Sequence, residues 1–270
     1  VVILLIGILA AIVGVFVVQP FEAARDVTRR AELVDAAETA LDRMTREIRL
    51  AVPNTVRVDG NALEFLRSST GGRYRRLATG TGAGDTLDPT VPEDTFDVLG
   101  GLPDDATVDT RGAGRDCASG QGDCIVINNA DTTGFDAYEG DTVAALVAPE
   151  NGPGQLHFDT GEPAGTAAFP AHSPNQRFQV LDTVVSYVCQ GGRIDRFSDY
   201  GLKGSQPNPP GGTPDRLASD VTACDFTYDQ GAGGGPVAGV RHGLVTIDIT
   251  IRRDGETVRL VDQAHVVNVP

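Results

Sequence analysis

The first eighteen residues, VVILLIGILAAIVGVFVV, carry no charge and no polar side chain. No other stretch constrains the chain as strongly. In helical geometry such a run spans about 27 Å at about 1.5 Å per residue. That falls slightly short of a bilayer core, which is about 30 Å thick and takes roughly 20 residues. The run begins at the first residue with no Met and no basic flank, so the segment is expected to continue upstream. A cleaved signal peptide is the alternative, but its charged n-region, shorter apolar core and small-residue cleavage site are not visible. Gly7 with Ala11, and Ala10 with Gly14, are spaced four apart. Such pairs let two helices approach closely, although Gly and Ala are also common in membrane helices generally. Pro20 removes a backbone donor and clashes one turn back, so a kink is expected between Phe16 and Pro20.

From Glu22 to Ala51 the pattern changes. Val27, Val34, Leu41 and Ile48 recur every seven residues, with Ala37, Met44 and Ala51 three further on. This is the apolar stripe of an amphipathic helix, and Pro53 ends it. The other face carries charges from Arg25 to Arg49. A stripe of under four heptads is expected to pack on its own domain rather than form a long coiled coil.

The stretch GILAAIVGVF followed by a long helix resembles the N-terminal helix of type IV pilins and pseudopilins. Further matching stretches are 29–58 (RRAELVDAAETALDRMTREIRLAVPNTVRV), GGRYRRL from Gly71, TVVSYVC from Thr183, VTACDFTYD from Val221 and the terminal HVVNVP. Together these are similar to the minor pilin-like proteins of mannose-sensitive haemagglutinin (MSHA) pilus biogenesis. The resemblance implies a subunit that assembles or initiates a type IV pilus by helix–helix packing, with other pilins and the assembly machinery as partners. It also implies a peptidase-cut, N-methylated N-terminus and an acidic docking residue, neither of which falls on a residue of this sequence. A minor pseudopilin of type II secretion, or a membrane-anchored tip adhesin, is the alternative function.

The net charge of −15 argues against nucleic acid as a partner, because phosphate binding needs a basic surface. Removing the helix leaves about 220 residues, enough for one large domain or two small ones. With 33 glycines and no Trp, the composition is globular and loop-rich. Four cysteines allow three connectivities. Cys117–Cys124 and Cys189–Cys224 are favoured, because the first pair encloses a Gly-rich loop and the second joins two strand-like segments. A zinc site would want CxxC spacing or nearby His, which is absent. An even cysteine count beyond an anchor fits a periplasmic or cell-surface head.

Beyond Pro53 the period becomes two. Strands are expected at 54–59 and 62–67 around Asp59-Gly60-Asn61, with a third over 73–78. Further strands are expected at 96–99, 125–128, 143–147, 155–158, 180–189 and 193–197. In 245–251, Val and Ile alternate with Thr and Asp before Asp254-Gly255 turns the chain into 257–269. The glycine-rich 79–85 (TGTGAGD) lacks a following helix and reads as a loop, not a phosphate cradle. The Pro/Gly-rich 203–213 reads as an exposed, mobile loop, either a partner contact or a tolerated insertion.

No catalytic motif is present. His157, His172, His242 and His265 are far apart, with no HExxH and no GxSxG. Tyr74, Tyr187 and Tyr200 read as core or hairpin residues rather than a sugar platform. The expectation is therefore a non-enzyme without cofactor. An irregular calcium site in the Asp-rich loops is left open on no assigned residue. The expected fold is α+β, with a long N-terminal pilin-type helix laid on an antiparallel sheet. In it, 1–20 form a single inner-membrane or filament-core segment, 21–52 the amphipathic continuation and 53–270 the β-rich head, with 79–175 a candidate inserted subdomain. The packing residues are Gly7, Ala10, Ala11, Gly14, Val34, Leu41 and Ile48.

Overall fold

The computed structural model describes residues 1–13, 19–80, 82–103, 117, 122–147, 154–159, 169–230 and 242–269. Among these, two helices precede twelve strands: α1 (Val2–Val13) and α2 (Gln19–Ile48), then β1 (Arg57–Asp59) to β12 (Glu256–Val267).

The expected α+β fold led by one long helix on a sheet is corrected. The framework is β, and the described helices run for 12 and 30 residues. Over its twelve described residues α1 reaches about 18 Å, against the ~30 Å of a bilayer core. α2 is too charged to compensate. No helix among the described residues is long and apolar enough to cross a membrane. The expected single-pass placement in an inner membrane is corrected with it. Gln19 and Pro20 open α2, where a proline costs no hydrogen bond. The expected kink falls largely on residues 14–18, outside the described residues.

The larger sheet has the order β1-β2-β7-β4-β5-β6-β3, with β8 and β9 continuing from β7. Its spine is the antiparallel pair of β2 (Ala62–Arg73) and β7 (Arg177–Gln190), from Ala62 opposite Val188 to Arg73 opposite Arg177. Bulges around Ser68 interrupt that ladder. β2 runs straight through the expected end at Arg67 to Arg73, and beyond it the expected third strand is reduced to the isolated bridge of Tyr74 with Val98. The stretch 79–175 contributes β3 (Thr95–Asp97), β4 (Cys124–Val126), β5 (Val143–Leu146) and β6 (Gln155–Asp159). They join the same sheet through β4 and β7. β8 (Arg193–Ser198) returns from β7 over Gly191 and Gly192, both at positive φ, the conformation that a two-residue hairpin turn of matching twist requires.

The smaller sheet is β10 (Val221–Asp229), β11 (His242–Arg253) and β12. β11 and β12 pair without a slip over their whole length around Asp254-Gly255, again both at positive φ. Period-two burial follows the sequence: Val245, Ile247, Ile249 and Ile251 face inward.

One core joins the two sheets beneath α2. Leu33, Ala37, Leu41, Met44 and Ile48 pack with Phe65, Tyr187, Ile194, Phe226, Val245, Ile247 and Ile249. A second cluster around Tyr74, Phe96, Phe158 and Phe178 fills the far end of the large sheet. Two disulfides close the fold. Cys117–Cys124 ties a loop to β4, and Cys189–Cys224 links β7 of the large sheet to β10 of the small one.

Candidate functional site

The N-terminal helices divide into an open part and a locked part. α1 is apolar all round, and its described side chains are exposed: Ile3 87%, Leu4 67%, Leu9 60%. A Cβ built on Gly7 meets nothing within 4 Å, and Ala10 is exposed. Gly7 and Ala10 therefore form a shallow strip on an unpartnered surface. Gly14 and the side chain of Ala11 lie outside the described residues. A helix that is hydrophobic all round is stable only when other elements cover it.

The stripe on α2 starts later than the heptads suggest. Val27 is 69% exposed and Val34 only half-buried, whereas Leu33, Ala37, Ala40, Leu41, Met44 and Ile48 are buried. Val27, Ala31 and Val34, rimmed by Arg30, Asp35 and Glu38, line an open groove of about 420 Å³. Apolar surface is thus open on α1 and again at Val27, Ala31 and Val34 of α2. Leu33 escaped the heptad reading because a 3.6-residue helix drifts against a seven-residue repeat.

The end of α2 is locked by charge. Glu47 Oε2 accepts a hydrogen bond from Arg196 Nε at 2.8 Å and another from the Tyr187 hydroxyl, while Arg67 Nη1 reaches Oε1 at 3.3 Å. Arg67 is itself held by Asp182, with Nη2 to Oδ2 at 2.6 Å. Burial pushes the Glu47 carboxyl up, but the bonds from Arg196 and Tyr187 and the charges of Arg196 and Arg67 outweigh it. The carboxyl therefore titrates below its ordinary value. Burial, then the Glu47 charge, drives the Tyr187 hydroxyl far above its ordinary range. One residue-pair away, Thr45 Oγ1 donates to Asp262 Oδ2 of β12 at 2.7 Å. Helix, large sheet and small sheet are thus pinned at one place.

A second polar knot sits on the other face of the large sheet. Glu64 of β2 is fully buried. It accepts Arg57 Nε at 2.7 Å, the Tyr200 hydroxyl at 2.7 Å and Ser186 Oγ at 3.2 Å. Arg57 also lies over the Tyr138 ring and donates to the carbonyls of Lys203 and Gly204. Gln206 reaches the Ala62 carbonyl, and Asn208 those of Asp59 and the Asn61 side chain. The segment 203–213, expected to be exposed and mobile, is tied down along its first half. Its anchors are too distant in sequence to show in local composition.

The remaining candidates do not converge. His157 lies on β6, His242 on β11 and His265 on β12, while His172 Nδ1 meets the Tyr74 hydroxyl at 3.2 Å. No group of three His, Cys, Asp or Glu suited to a metal occurs among the described residues. In 79–85, Thr79 closes a turn onto Ala83 through backbone and side chain. Tyr74 and Tyr187 are buried core residues, and Tyr200 is part of the Glu64 knot.

The fold is thus a two-sheet antiparallel β head with an apolar helical extension. No protein-family model, curated protein or solved structure matches the chain.

Proposed function

We propose that the chain is a structural assembly subunit of the type IV pilin and pseudopilin kind, acting by noncovalent helix–helix packing and not as an enzyme. The observation that carries this reading is α1: apolar all round and exposed, with a further open groove on α2. Equivalent helices of neighbouring subunits cover this surface, and small residues at Gly7 and Ala10 permit close approach. The head is the rigid part, because Glu47 fixes the end of α2 to the large sheet and Thr45 fixes it to the small one. The resemblance of the sequence to MSHA-type minor pilins gives the assembly its kind, a type IV pilus. The two disulfides fit assembly in oxidising surroundings.

The test is deletion of the gene in its native host, with surface pili counted by electron microscopy and secreted proteins profiled in parallel. Lost pili with normal secretion support the reading. Intact pili with failed secretion move the protein to the secretion pseudopilins. Intact pili and intact secretion overturn the assembly function.

A further inference from the structure

At the bulged end of the β2–β7 ladder, Arg73 stands directly opposite Arg177. Like charges facing each other across strands destabilise a sheet. Most other strand arginines have a carboxylate partner, among them Arg67 with Asp182, Arg193 with Asp195, Arg253 with Asp220 and Arg259 with Asp248. Neither Arg73 nor Arg177 forms an ion pair among the described residues. Among the described residues the guanidinium of Arg73 reaches only Gln176, whose Oε1 accepts from Nη2 at 3.4 Å. Both arginines line an open groove of about 370 Å³ with Ser68, Thr70, Gly71, Gly72, Phe178 and Gln179.

The volume is that of a small-ligand site. The bulges around Ser68 shape it, and Gly71 holds the strands close. A Cβ on Gly71 would come within 2.7 Å of the Phe178 carbonyl oxygen, whereas one on Gly72 would point into the core, against the Phe178 ring and Val98. The floor is therefore backbone and the rim two guanidinium forks, whose planar donors match the paired oxygens of one anionic group. The chain's charge of −15 does not forbid this, because charges beyond about 8–10 Å are screened at physiological salt.

We propose that this groove binds a small oxyanion-bearing ligand, with Arg73 and Arg177 bridged by its oxygens. Carboxylate, sulfate and phosphate share the required chemistry. The inference is independent of the assembly function, since the groove lies on the head.

The test is calorimetric titration of the full chain at low salt with citrate, sulfate and inorganic phosphate in turn. At least one is expected to bind with Kd at or below about 1 mM, and which one identifies the ligand group. Arg73→Gln and Arg177→Gln are each expected to weaken that binding about tenfold or more. Arg252→Gln, an exposed strand arginine outside the groove, is expected to leave it unchanged. Without anion, Arg177→Gln is expected to melt no lower than wild type, because it removes the repulsion. Failure of all three anions to bind, or an equal loss in Arg252→Gln, overturns the proposal.

Discussion

Arg196 of β8 donates its Nε to Oε2 of Glu47, 149 positions earlier at the end of α2, at 2.8 Å. That bond sets where the helix stops being free. N-terminal to it, Val34 is half-buried, Val27 is exposed, and the described side chains of α1 are exposed. C-terminal to it, the chain turns into the sheets. Glu47→Gln keeps the shape but leaves Arg196 and Arg67 with a neutral partner. Removing one member of a largely buried, charge-assisted group costs about 2–3 kcal/mol. Urea unfolding is expected to show that loss, and a variant as stable as wild type would mean the lock contributes nothing.

The same carboxyl gives a pH dependence. Its folded-state pKa lies below the ordinary 4.5. A depressed carboxylate contributes stability that is fully present above its unfolded pKa and lost as pH falls through the folded value. Melting temperature is therefore expected to hold from neutral pH down to about 5 and to fall below about 4.5. The fall should be shallower in Glu47→Gln. An equally steep decline in the variant would place the acid-sensitive group elsewhere.

Gly7 separates assembly from folding. A side chain there meets no atom of its own chain. Gly7→Leu is expected to leave the melting temperature of the head within about 1 °C, as an exposed change far from the core should. It should nevertheless reduce piliation, because the added side chain holds a neighbouring helix away. Normal piliation in this variant would count against close packing at Gly7.

Arg57 is expected to be structural. Arg57→Ala strands the fully buried Glu64 and frees the carbonyls of Lys203 and Gly204. Breaking such a pair costs about 3–5 kcal/mol. Limited proteolysis should find new cleavage within 203–213. An uncut loop with unchanged stability would show that Gln206 and Asn208 suffice.

The inter-sheet disulfide closes a loop with a separation of 35 residues. Replacing Cys189 and Cys224 together by Ser is expected to lower stability by about 3–4 kcal/mol on the loop-entropy model. The shared core beneath α2 should still hold the sheets together. Loss of the near-ultraviolet dichroism at neutral pH would show instead that the bridge is required for folding.

Local pattern determined much of this molecule. The alternation in 245–251 and the Asp254-Gly255 turn specify the β11–β12 hairpin, because strand faces alternate with period two and tight hairpin turns need positive φ. The favoured cysteine pairs are the ones joined, since both lie between elements that local pattern already identifies. The charge-free first stretch announced an apolar helix. What only the tertiary structure decided is where that helical region is anchored and what its charges do. Glu47, Arg196, Arg67 and Asp182 carry no local signal when read in sequence, and neither do Glu64 and Arg57. Their partners lie up to 149 positions away, and burial alone converts them from solvated charges into locks. The facing of Arg73 and Arg177 has the same origin: register is set by long-range pairing of β2 with β7, which no local periodicity encodes.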